Sequence, residues 1–140
     1  VRHCDVKPSN LLICGETVKL ADFSLAVPTT ATMWYHRRAG TPRYCAPEVF
    51  HGWLSDHTDQ YALAVSYYQL RTGGFPFHDA PATVSSDYVP PPPPDLSELP
   101  RSERTVLLRA LAPVPQDRWA SCVEMMHLLS KCCKAASRAG

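Results

Sequence analysis

Three short groups of polar residues carry the chemistry this chain can do. The first is His3-x-Asp5-x-Lys7-Pro8-x-Asn10; Asp22-Phe23 follows twelve positions after Asn10, and Ala46-Pro47-Glu48 lies further on. Phosphoryl transfer asks little covalent chemistry of a protein. It needs an in-line hydroxyl and cations that neutralise the charge spread over the phosphates. Asp5 is a carboxylate on a loop able to meet an incoming hydroxyl. Magnesium takes oxygen ligands and keeps several waters, so a few protein groups suffice. Asn10 and Asp22 offer one amide and one carboxylate from adjacent loops.

Those loops need elements to hold them. Leu11-Leu12-Ile13 and Val18-Lys19-Leu20 flank Cys14-Gly15-Glu16-Thr17. Two short β-prone runs around a four-residue turn with Gly predict a hairpin, which would bring Asn10 and Asp22 together. Residues 27 to 48 have no period and hold Pro28, Gly40, Pro42 and Pro47. This reads as a long functional loop. Tyr61 to Leu70 is apolar nearly all round and predicts a helix buried in the middle of the domain. Thr58 is its expected N-cap, Asp59 lies in its first turn, and Gly73-Gly74 and Pro76 stop it. Ser102 is the expected cap of a helix reaching about Ala112, with Leu107 and Leu111 one turn apart. Ser121 and Glu124 form a capping box for a last helix. Its core stripe is Cys122, Met125, Met126, Leu129 and Cys133. The five prolines Pro90–Pro94 exclude helix and central strand and predict a stiff polyproline connector.

The order and spacing of the three polar groups resemble the catalytic loop, magnesium loop and Ala-Pro-Glu segment of protein kinases. The resemblance covers nearly all of the chain, least well between Ala80 and Leu99, and its flavour is that of bacterial eukaryotic-like Ser/Thr kinases. It implies a mainly α fold, the C-terminal kinase lobe with one small β-hairpin, over residues 1–133, with a tail at 134–140. It also implies ATP and Mg²⁺ as cofactors and a protein with Ser or Thr hydroxyls as substrate. By resemblance Asp5 is the catalytic base, Asn10 and Asp22 hold the metal, and Lys7 contacts the transferred phosphate. Gly40-Thr41-Pro42-x-Tyr44 looks like the substrate-docking loop of Ser/Thr kinases, and Lys7 with Thr41 is the pairing those enzymes use. Asp59 looks like the buried Asp that braces the catalytic loop, and Arg118 like the Arg that pairs with Glu48. His3 and Phe23 complete the supporting set.

Two positions depart from the family pattern. Cys4 stands where many kinases have an Arg that receives a phosphorylated activation-loop residue. Thr29, Thr30 and Thr32 remain candidates for modification, with Arg37 and Arg38 as other receivers. Ser24 replaces the Gly after Asp-Phe, which implies altered flexibility. The 140 residues hold no Gly-rich phosphate loop, strand Lys or partner Glu, nor the helix that normally precedes the catalytic loop. The chain therefore reads as the second half of a kinase domain. Its partner would be the N-terminal lobe, and it would be inactive and poorly covered around the apolar helix when alone. The alternative is a pseudokinase-like lobe that binds a partner protein without catalysis.

Composition sets outer limits. Fourteen Lys+Arg against 13 Asp+Glu give a net charge of +1, without the basic excess a nucleic-acid partner calls for. No apolar run approaches the roughly 20 residues of a membrane span. The opening residues do not form a signal peptide. The six cysteines contain no C-x-x-C pair and read as thiols of a cytoplasmic protein. His36, His51, His57, His78 and His127 show no metal-ligand spacing.

Overall fold

A computed structural model describes residues 1–29, 39–79 and 81–138. Strands β1 (Leu11–Cys14) and β2 (Thr17–Leu20) form an antiparallel hairpin. Four helices follow: α1 (Pro47–Phe50), α2 (Thr58–Thr72), α3 (Arg101–Ala110) and α4 (Cys122–Arg138). The described chain is thus mainly helical with one small hairpin. Short 3₁₀ turns at Pro8–Asn10, Pro42–Tyr44 and Pro115–Asp117 each begin with proline, whose fixed φ suits the first position of a turn.

The hairpin turn is tighter than the sequence suggests. Cys14 pairs with Thr17, so the loop is Gly15-Glu16 alone. Gly15 takes a φ of 62°, the Gly-first pattern of a II′ turn, whose twist matches the flanking strands. Strand pairing captured the two residues assigned to the turn.

Helix α2 is the axis of the core. Ala64 and Val65 are fully buried, and Tyr61 and Tyr68 nearly so. Helices α3 and α4 pack on it through Val106, Leu107, Met125 and Leu129. The apolar run is therefore covered on most sides, and of it only Leu70 stands largely in solvent, 65% exposed. Uncovered apolar surface lies instead on the hairpin, at Leu12, Ile13 and Val18, and at Phe23 beyond it. Gly73 ends α2 in the left-handed conformation at φ 80°.

The helix starts differ from expectation. Thr58 is the first residue of α2, not its cap. Its hydroxyl donates to Glu48 Oε1 at 2.9 Å, and its oxygen accepts the Ser55 N–H at 2.8 Å in place of an N–H of the helix. Ser102 lies inside α3; the carbonyl of Pro100 receives the N–H groups of Glu103 and Arg104 instead. At α4, Ser121 does accept the Glu124 N–H at 3.1 Å. The Glu124 carboxylate reaches one residue further back, to the Ala120 N–H. Within the stripe Met125 and Leu129 are buried, and Met126 is 38% exposed. The α4 helix continues through Arg138, past the expected end of the domain at 133.

Two ion pairs, each with a buried carboxylate, tie the layers. Glu48 on α1 meets Arg118, far along the chain, through two bonds of 2.9 and 2.8 Å. Arg118 also donates to the carbonyls of Ala112, Pro113 and His57, so all five of its N–H groups are used. Glu48 Oε1 further accepts from Ser55 and Thr58. The second pair lies at the other end of α2, where Arg71 binds the buried carboxylate of Glu103 from α3. Tyr67 donates to the same carboxylate at 2.8 Å. Sequence reading did not find this second pair.

Removing one member of a fully buried pair leaves the other charged and unsolvated. Arg118→Met should lower the unfolding free energy by about 3–5 kcal/mol, read from urea denaturation. A loss under about 1 kcal/mol, the worth of an exposed pair, would show that water reaches Glu48 in the folded chain.

Candidate active site

The loop from His3 to Asn10 is held from beneath by α2. Asp59, in the first turn of that helix, accepts from two consecutive backbone N–H groups: His3 at 2.7 Å and Cys4 at 2.8 Å. Cys4 adopts a left-handed φ of 67°, unusual for a residue with a side chain, and this turns both N–H groups to one side. Arg2 adds a backbone bridge to Val27 and an ion pair with Asp56 at 2.7 Å. His3 is buried and spans two loops. Its Nε2 lies 2.9 Å from the Ala21 carbonyl, and its Nδ1 accepts the Asp5 N–H at 3.3 Å. The neutral tautomer with the proton on Nε2 satisfies both contacts. Phe23 sits edge-to-face on the His3 ring, with centroids 4.8 Å apart.

Asp5 stands at the centre of the polar set. Its Oδ1 accepts from the Thr41 hydroxyl at 2.8 Å and the Thr41 N–H at 3.1 Å. Its Oδ2 lies 2.7 Å from Lys7 Nζ, which also donates to Thr41 Oγ1 at 2.7 Å. Asp5, Lys7 and Thr41 are thus one closed hydrogen-bonded group joining two distant segments. Burial works to raise the Asp5 pKa, but the hydrogen bonds from Lys7 and Thr41 and the charge of Lys7 outweigh it. The carboxyl is held below its ordinary value and is ionised at neutral pH.

Gly40 explains how Thr41 comes so close. Its φ is 131°, and a Cβ there would lie 2.8 Å from Cys45 Sγ and 3.2 Å from the Cys4 carbonyl. Only glycine lets the segment bearing Thr41 pass against the loop.

Asn10 and Asp22 meet at one end of the hairpin. The Ala21 N–H donates to the Asn10 carbonyl at 2.9 Å, extending the ladder by one bond and setting Asp22 next to Asn10. The Asn10 amide nitrogen donates to the Asp5 carbonyl at 2.9 Å, which leaves the amide oxygen for a cation. Asp22 is exposed, at a left-handed φ of 61° that Asp tolerates. Its Oδ1 accepts from the Ser24 hydroxyl at 2.6 Å and the Ser24 N–H at 3.3 Å, so Oδ2 is the open oxygen. Those two bonds hold the Asp22 carboxyl below its ordinary pKa. One neutral oxygen and one anionic oxygen fit magnesium, which fills its remaining positions with water and phosphate oxygens. Among the described residues no cluster of three or more His, Cys, Asp or Glu forms a closed metal cage.

Cys4 and Cys45 line a small cavity under the loop with Thr41, Tyr44 and Asp59. Burial first, then the Asp59 charge, pushes the Cys4 thiol up to about 12. Burial raises Cys45 likewise to about 12. Both stay neutral thiols. Thr30, Thr32, His36, Arg37 and Arg38 lie outside the described residues, and Thr29 is exposed. Glu48 and Arg118 stand apart from the polar set and act on it through α1 and the start of α2. Sequence reading singled out each of the polar groups but missed the Ser24 hydroxyl as a partner of Asp22.

The whole chain supports this arrangement with a family match. The protein kinase domain model matches residues 1–136, and the chain belongs to the protein kinase family. It is 37% identical over 91% of its length to serine/threonine-protein kinase Pkn1 of Myxococcus xanthus, covering 20% of that protein. It is 37% identical over 91% of its length to serine/threonine-protein kinase PknF of Mycobacterium tuberculosis, covering 29% of it. A probable serine/threonine-protein kinase of Clostridium perfringens is 31% identical over 92% of the chain, which covers 20% of that protein. The chain spans less than a third of each of these relatives. No described helix is long and apolar enough to cross a membrane.

The lowered pKa of Asp5 has a thermodynamic consequence. A carboxyl whose folded pKa lies below its unfolded value, near 3.8, stabilises the fold above that value. The contribution is lost as pH falls through the folded pKa. Stability should therefore fall more steeply between about pH 5 and about pH 3 in the wild type than in Asp5→Asn. Urea midpoints across that range measure it. Equal slopes in both proteins would mean that Lys7 and Thr41 do not hold the carboxylate in solution.

Proposed function

We propose that this chain carries the catalytic loop, magnesium loop and activation segment of a kinase that transfers the γ-phosphoryl group of ATP to Ser or Thr hydroxyls of proteins. The observation that carries the reading is the closed group of Asp5, Lys7 and Thr41. An ionised Asp5 is a proton acceptor for the substrate hydroxyl. Lys7, 2.7 Å away, is a cation in reach of the phosphate being transferred. Thr41 orients both and joins them to the loop on which a protein substrate would lie. Magnesium held by Asn10 and Asp22 would neutralise charge on the phosphates. The relatives' names, all serine/threonine kinases, favour the same substrate class.

The site residues then divide by role. Asp5, Lys7 and Thr41 serve the reaction, and Lys7, Asn10 and Asp22 face the metal–nucleotide. His3, Phe23, Glu48, Asp59 and Arg118 support them. The domain is read as residues 1–133 with a tail at 134–140, in a cytoplasmic protein, and an N-terminal lobe would close over the nucleotide. A non-catalytic lobe is the weaker reading, because nothing in such a role requires Lys7 and Thr41 joined around one ionised carboxylate.

Asp5→Asn keeps shape and removes the proton acceptor. In the full-length gene product it should cut the rate of phosphorylation of a basic protein substrate by about 10²–10⁴-fold. A rate within about threefold of wild type would overturn the role of Asp5. Phosphoamino-acid analysis of the autophosphorylated protein should yield phosphoserine or phosphothreonine. Phosphotyrosine as the main product would overturn the substrate class.

Cys4 generates a second expectation. A neutral thiol cannot receive a phosphate by charge-assisted hydrogen bonds. Phosphatase treatment of the full-length protein should leave its rate within a few-fold. A larger drop would point to a cation elsewhere as the receiver.

A further inference from the structure

Ser24 stands where the family pattern has glycine, and its side chain is not idle. Of the two bonds that Asp22 Oδ1 accepts from this residue, the hydroxyl's is the shorter, 2.6 Å against 3.3 Å for the N–H. Glycine could offer the N–H bond alone. A hydroxyl at this distance from a carboxylate makes a charge-assisted hydrogen bond, among the stronger kinds.

The position of that bond decides what it does. Asp22 is exposed, at the end of the hairpin, on a left-handed residue. Among the described residues, Ser24 is the hydrogen-bond partner given to its carboxylate. A carboxylate on an exposed loop otherwise rotates freely about its last torsion. With Oδ1 held by Ser24, rotation is restrained and Oδ2 keeps one direction. The intervening residue is restrained on one side, where the Phe23 ring lies edge-on against buried His3. The turn from Asp22 to Ser24 thus has a middle residue in contact with His3 and a clasped carboxylate.

We propose that Ser24 is a positioning residue for the metal. Its hydroxyl holds the Asp22 carboxylate so that the open oxygen faces the cation site shared with Asn10. Partners of metal ligands in this sense orient the ligand, and their loss typically costs about 10–100-fold in metal affinity. The inference rests on the kinase reading of Asp22, and the test separates the two.

The test reads binding and not turnover. ADP affinity of the full-length gene product is measured by calorimetry with and without Mg²⁺, and the gain that Mg²⁺ confers reports the metal site. Ser24→Ala should lose about tenfold of that gain, while Ser24→Thr, which keeps a hydroxyl, should retain most of it. ADP affinity without metal should be the same in wild type, Ser24→Ala and Ser24→Thr, which shows that both Ser24 variants are folded. Asp22→Asn should abolish the gain. If Ser24→Ala keeps the full gain while Asp22→Asn loses it, the metal assignment stands and the role of Ser24 is refuted. Equal losses in Ser24→Thr and Ser24→Ala refute the hydroxyl's part. A full gain in Asp22→Asn overturns the metal assignment and the inference with it.

Discussion

The ion pair between Glu48 and Arg118 is the constraint on which the other contacts depend. Both side chains are almost wholly buried. Removing two charges from water is costly, and mutual attraction offsets it only when geometry is good and every remaining donor and acceptor is satisfied. Here Arg118 uses all five N–H groups, and Glu48 takes two further hydroxyl donors. The pair therefore fixes relative position more than it adds stability. It ties α1, the turn before α2, and the connection between α3 and α4 to one point. The segment bearing Thr41 runs directly into α1, so its place against Asp5 follows from this anchor.

From that anchor the site is assembled in two steps. Helix α2 starts where Thr58 meets Glu48, and one residue later Asp59 clasps the loop bearing Asp5. The hairpin then sets Asn10 and Asp22 side by side through a single extra ladder bond. Asp5 and Lys7 are placed by contacts from the distant Thr41, and the loop that bears them by Asp59, which is why it can be irregular and still well defined. The Asp22 carboxylate differs, being held by Ser24, its near neighbour in sequence.

Much of this was legible in the sequence, for reasons that differ by residue. The polar groups around Asp5, Asn10 and Asp22 were readable because their chemistry restricts residue type. Helix α2 was readable because an all-round apolar run has few other homes. Thr58 misled because the side chain of a helix-start residue is recruited by the partners nearest in space, here the Glu48 carboxylate and the Ser55 N–H. The pair of Arg71 and Glu103 left no trace, since two charged residues 32 positions apart look like ordinary surface. Ser24 was noticed as a departure in backbone freedom. Its hydroxyl's use depends on where the Asp22 carboxylate points, which spacing alone does not encode.

The clasp of Asp59 on two consecutive N–H groups has a mechanical meaning. A single bond is a hinge about which a loop can swing, whereas two bonds from one carboxylate resist both sliding and rotation. The loop from His3 to Asp5 therefore moves with α2 as one rigid piece. For the loops packed around it, this piece is the fixed frame. The part outside the clasp is the hairpin with its exposed apolar face.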